Sequence, residues 1–128
     1  MNLHISAVMI GVNDMKRSRD FYAEGLGCPI KLDTPGFVSF ELGDSSSELA
    51  LYPRNAVAGD AGVAAEGSGF RGFSLHFIVP GQEQVDEALA TAERAGAKII
   101  KPAQKTQWGY FGYFSDPDGY LWKVVAGN

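Results

Sequence analysis

Trp108-Gly109-Tyr110-Phe111-Gly112-Tyr113-Phe114-Ser115-Asp116-Pro117-Asp118-Gly119-Tyr120-Leu121-Trp122 is the stretch whose reading decides the fold. Its second half holds a tight turn, Asp116-Pro117-Asp118-Gly119, in which proline fixes φ and glycine is free to take positive φ. Aromatic and β-branched residues flank the turn. Trp108 to Phe114 and Tyr120 to Val125 therefore predict two strands joined end to end. Upstream, Lys98 to Lys101 predicts a short strand closed by Pro102. Before it, Gln82 to Ala95 predicts a helix, with Val85, Ala88, Leu89 and Ala92 on one face and Gly96 as its stop. Gly72 to Val79 predicts a further strand. The order in this half is β-α-β-β-β.

The first half runs in step. Ile5 to Val12 reads as a buried strand, and Asn13 or Asp14 offers a helix N-cap. Met15, Arg19, Tyr22 and Leu26 follow at helical spacing, and Gly25 and Gly27 end the helix. Pro29 to Leu32, Phe37 to Leu42 and Glu48 to Tyr52 read as strands, with a turn signal at Gly43-Asp44-Ser45. Val12 and Val79 each end a first strand, and Gly27 and Gly96 each end a helix. The chain thus reads as two copies of one supersecondary unit. Module one covers about residues 1–55 and module two about 72–128 of a single domain 1–128. The Gly- and Ala-rich residues between them read as a linker, about 56–71, with room for a helical turn.

Composition narrows the function classes. The chain has 128 residues, 45% of them hydrophobic and 20% charged, which suits one globular domain able to bury a core. Its net charge of −4 argues against nucleic acid and against an anionic membrane surface as partners. The single cysteine, Cys28, excludes an intrachain disulfide and suits a reducing compartment. No signal-peptide pattern or membrane-length apolar run is visible, so the expected location is cytoplasmic. No phosphate loop or nucleophile elbow is present. Cys28 follows a helix end, where nothing would lower its pKa. Asp116 and Asp118 read as turn carboxylates, not as catalytic groups. His4, near the N-terminus, reads as solvent-exposed.

Three stretches resemble the vicinal oxygen chelate superfamily, which contains glyoxalases, bleomycin-resistance proteins and dioxygenases. They are Val8 to Met15 with Ser18, Phe21-Tyr22 and Leu26-Gly27; Val85-Asp86 with Ala95-Gly96-Ala97 and Lys101-Pro102; and Trp108-Gly109 followed by Phe114 to Trp122. The last is the most specific. The resemblance implies an α+β fold of paired βαβββ modules, a curved mixed sheet forming a cup, helices outside and a homodimer. Strand alternation places Val8, Ile10, Val12, Leu75, Phe77, Val79, Phe114 and Trp122 under the helices. It leaves Ala7, Met9, Gly11, Ser74 and His76 facing the cup.

Members of that superfamily that use a metal take a ligand from the first and last strand of each module. The matching positions here are Ala7, Ala50, Ser74 and Lys123, which lack the donors a divalent ion needs. No metal and no other cofactor is expected. The candidate ligand-binding residues are Met9, Tyr52, Ser74, His76, Trp108, Tyr110, Tyr113 and Lys123. The aromatic residues among them suit a planar compound. The overall acidity suits a cationic or planar aromatic ligand, whereas a cup-facing Lys123 suits an anionic or carbonyl-bearing one. The expected function is binding of a small planar or aromatic molecule, in the manner of bleomycin-resistance proteins. The alternatives are a metal-dependent lyase, isomerase or ring-cleaving dioxygenase, and a non-catalytic interaction module.

Overall fold

The computed structural model describes residues 1, 3, 5–43 and 47–127; His4, Asp44 and Ser45 fall outside them. The chain divides into two units, Met1–Gly67 and Ser68–Asn128.

The first unit runs β1 (Ala7–Val12), α1 (Met15–Asp20), a π-helical turn (Phe21–Gly25), β2 (Ile30–Thr34), β3 (Phe37–Glu41), β4 (Glu48–Pro53) and α2 (Arg54–Ala61). Its sheet has the order β1-β4-β3-β2, with β1 parallel to β4 and the other pairs antiparallel. Asp14 caps α1, its carboxylate accepting from the Arg17 N–H at 3.0 Å. The helix then widens into the π-helical turn, where Phe21 and Tyr22 are both buried. The Tyr22 ring packs 5.8 Å from that of Phe40. Ile10, Val12, Val38, Phe40, Leu49 and Leu51, none more than 3% exposed, form the core on that face of the sheet.

The sequence reads as a linker with room for a helical turn at about 56–71, and α2 is an eight-residue helix that starts just before it. The helix has no buried residue and so gives no amphipathic signal. Its anchor is Arg54, whose Nε donates to the Ala65 carbonyl at 2.6 Å and whose Nη2 donates to Gly67 at 2.7 Å. A Cβ on Gly11 would lie 2.9 Å from the Arg54 Cα, so this glycine lets α2 begin against β1.

The second unit runs β5 (Leu75–Val79), α3 (Gln82–Ala95), β6 (Lys98–Thr106), β7 (Gly109–Ser115) and β8 (Leu121–Ala126), with the sheet order β5-β8-β7-β6. Again the first strand is parallel to the last and the other pairs are antiparallel. α3 packs on β6, β7 and β8 and buries Val85, Leu89 and Ala92. Val124 and Phe114 lie beneath it, and the Phe114 and Trp122 rings stack with 6.1 Å between centroids.

Two expectations need correction. Phe77 shares the α3 face but is 50% exposed, because it sits on edge strand β5, beyond the strands that the helix covers. β6 does not close at Pro102 but continues to Thr106. It is the opposite edge strand, and its register shifts twice, at Ile99/Lys101 and at Lys101/Gln104. In the second shift Pro102 and Ala103 together oppose Gly112, a bulge in which proline's missing N–H is tolerated.

Candidate functional site

The two units place their candidate residues by the same register rule. In the first unit Met9 pairs with Ala50, and Gly11 with Tyr52. In the second, His76 pairs with Lys123. Met9 stands two residues after Ala7 and His76 two after Ser74, so Ala50 and Lys123 occupy equivalent places in the two modules. Paired residues share a face. Ala7, Met9, Ala50 and Tyr52 thus lie on the side away from the Leu49 and Leu51 core. The Tyr52 ring meets Phe37 edge-on at 6.0 Å on that side. Nearby, Glu48 accepts from Lys31 at 2.8 Å, and that ammonium holds its carboxyl below the usual carboxylate range.

The second unit has the denser cluster. His76, Lys123, Tyr113 and Lys101 form one row across all four strands, on the face away from α3. Ser74 Oγ and His76 Nε2 share a hydrogen bond of 3.0 Å. Phe111 stands one row over and is 6% exposed. The Lys123 Nζ lies 4.2 Å from its ring centroid and the Lys101 Nζ 5.3 Å. Tyr113 meets the same ring edge-on at 6.1 Å.

Two candidates lie elsewhere. Tyr110 is on the α3 face with Gly112 and Phe114, and its hydroxyl donates to Asp86 of α3 at 2.7 Å. That hydrogen bond pushes the phenol pKa up. Trp108 sits in the β6–β7 turn and is 77% exposed. Its backbone N–H donates to Thr106 at 3.0 Å. Conversely, Phe111 and Lys101 were absent from the sequence candidates. The two-residue spacing between Phe111 and Tyr113 is enough to place Phe111; nothing local places Lys101.

Other reactive groups offer less. Burial pushes the Cys28 thiol pKa up, which suits a packed side chain rather than a nucleophile. A cleft of about 470 Å³ lies in the first unit against α1, lined by Met15, Lys16, Arg19, Asp33 and Val38 among others. Its charges are already matched, with Arg19 donating to Asp33 at 2.8 and 3.0 Å and Lys16 to Asp20 at 2.8 Å. Among the described residues, no three His, Cys, Asp or Glu side chains gather where they could hold a metal ion.

The model of one protein family, described as the Glyoxalase/Bleomycin resistance protein/Dioxygenase superfamily, matches residues 4–124. The chain belongs to this superfamily. Among its relatives is the uncharacterized protein YraH of Bacillus subtilis, 30% identical over 118 residues, covering 88% of this chain and 90% of that protein. A glyoxalase-related enzyme from Fulvimarina pelagi superposes with a TM-score of 0.87 at 25% identity, over 97% of this chain and 88% of that one. A glyoxalase/bleomycin resistance protein/dioxygenase family enzyme from Burkholderia phytofirmans gives 0.82 at 25% identity, over 94% and 96%. Superfamily membership accounts for the two mixed sheets, but a fold hosts many activities and does not itself assign one. No helix among the described residues is long and apolar enough to cross a membrane.

Proposed function

We propose that this superfamily member binds a small planar aromatic molecule without a metal, on the face of the second sheet that carries His76, Tyr113 and Lys123. One observation carries the reading. At the positions where the resemblance to metal-using members implies ligands, this chain has Ala7, Ala50, Ser74 and Lys123, the serine bonded to His76 and the lysine over the Phe111 ring. Alanine has no donor atom, and an ammonium repels a divalent cation. These residues do not fit a metal, and no step is routed through one. What they offer is an aromatic surface with polar tips beside it, the usual make-up of a site for a flat organic molecule.

The test is a titration of EDTA-treated, tag-free protein with a library of planar aromatic compounds, followed by amide chemical shifts. Saturable shifts at Phe111, Tyr113 and Lys123 are expected. Tyr113→Ala should weaken binding about fivefold to tenfold, the loss of one ring contact worth ~1–1.5 kcal/mol. Absence of binding across the library would remove the reading. Near-stoichiometric zinc, nickel, manganese or iron in untreated protein would favour a metal-dependent lyase, isomerase or dioxygenase instead.

The same reading includes a homodimer. Edge strands β1 and β5 expose Met9 at 45%, Phe77 at 50% and Ile78 at 70%, apolar surface that a second copy would cover. Light scattering should give twice the 13.7 kDa chain mass. A monomer at all concentrations would count against it.

A further inference from the structure

The charges of the second unit are unevenly divided between the two faces of its sheet. Strands β5 to β8 contain no Asp or Glu; on the face away from α3 they carry His76, Lys98, Lys101 and Lys123, whereas Lys105 pairs with Tyr110 on the α3 face. The acidic residues of this unit lie on α3, on the other side of the sheet, and in the turn at Asp116 and Asp118. A chain of net charge −4 therefore presents one locally basic sheet face. Net charge governs approach from a distance, but contact is governed by the groups within a Debye length, about 10 Å at 0.1 M salt.

Lys101 and Lys123 are the centre of that face. Both ammonium groups sit against the Phe111 ring, at 5.3 and 4.2 Å from its centroid, so the two positive charges lie within about one Debye length of each other. Neither has a carboxylate partner among the described residues, unlike Lys16, Arg19 and Lys31, which are ion-paired. Two half-buried like charges held side by side repel, and a ring face compensates a cation more weakly than a carboxylate does. Tyr113 stands between them in the register and adds a second ring.

We infer that the ligand of this face is a planar aromatic acid, its ring packed against Tyr113 and its carboxylate held between the Lys101 and Lys123 ammonium groups. The inference rests on the proposal that this face binds a flat molecule, and it adds the charge of that molecule. Lysine suits the role because its ammonium donates along three directions and can turn from ring to carboxylate without moving the strand.

The experiment compares naphthoate with naphthamide, which share one ring system and differ in charge. Calorimetric titrations would use the wild-type chain and the double variant Lys101→Met, Lys123→Met, its fold checked by circular dichroism. The expected result is that wild type binds naphthoate about tenfold or more tightly than naphthamide, as a charge-assisted contact requires. That preference should shrink as NaCl is raised and should fall to about one in the double variant. A second variant guards against a merely structural effect: Lys101→Arg, Lys123→Arg keeps both charges and should keep the preference. Equal affinity for the two compounds in wild type, or a preference that survives in the methionine variant, would overturn the inference while leaving the binding face in place. If neither compound binds, the binding proposal fails and this inference fails with it.

Discussion

Gly112→Ala is expected to destabilise the second unit by about 3 kcal/mol, the upper part of the range for forcing a methyl group into a filled core. Gly112 lies on the α3 face of β7, between Tyr110 and Phe114. A Cβ there would come within 2.7 Å of the Leu89 Cδ1, 2.8 Å of the Lys101 carbonyl oxygen and 2.9 Å of the Ala103 nitrogen. Leu89 can turn away, but the other two atoms are backbone. They belong to the bulge in which Pro102 and Ala103 oppose this one glycine. A fall in Tm on the order of 10 °C should follow. Adding Leu89→Ala should not rescue it, because the backbone contacts remain and a cavity is added. Gly36→Ala is the matched control. That position has nothing within 4 Å and no positive φ, so its Tm should stay near wild type. Equal behaviour of the two variants in thermal melts would show that the bulge can give way. The same variant bears on the binding face. Lys101 is carried by this bulged strand, so shifting the bulge should also weaken naphthoate binding in the fraction that still folds.

That bulge marks the limit of what could be read from the sequence. The two modules, the long α3 and the phase of β1, β4, β5 and β8 follow from alternation and from where glycines stop helices. Alternation also suffices to put His76 and Lys123 on the face away from α3, whereas Ser74 stands just before β5 and meets His76 through its hydroxyl. It fails on β6. Ile99 pairs with Phe114 on the α3 face, and Lys101, two residues later, pairs with Tyr113 on the other. Only the extra residue, Ile100, moves Lys101 across the sheet. A bulge is set by the geometry of the partner strand and leaves no periodic trace in its own sequence. Tyr110 is a different case. It stands three residues from Tyr113 on one regular strand, so the two cannot share a face. Phe77 follows the period yet stays exposed, because alternation names a face but not whether a helix reaches it. The Ala- and Gly-rich composition leaves room for a helical turn but does not give the start or length of α2, and its anchor, Arg54, binds carbonyls that no pattern announces.

Asp116→Ala should cost about 3 kcal/mol, and Asp116→Asn clearly less. The Asp116 side chain is buried, and its Oδ1 accepts from the backbone N–H of Asp118 at 3.0 Å and of Tyr120 at 2.9 Å. Alanine leaves both donors buried without that acceptor, at roughly 1–3 kcal/mol each. Asparagine keeps an acceptor oxygen in the same place and loses only the strength that the charge adds. Urea melts should show the difference as a lower midpoint with an unchanged slope. Amide exchange at Asp118 and Tyr120 should accelerate first, since their protection depends on this oxygen. If alanine and asparagine cost the same, the acceptor is not what holds the turn. The remaining parts of the turn follow the same logic. Pro117 sets its φ, and Gly119 takes a φ of +87° that other residues rarely adopt. Arg71 donates from Nη1 to the Asp118 carbonyl at 3.0 Å while its guanidinium lies 4.9 Å from the centre of the Tyr120 ring. The most specific run of residues in the chain is therefore a structural clasp. It joins β7 to β8 and so fixes the register that sets Tyr113 beside Lys123, while the Asp116 carboxylate serves two backbone amides.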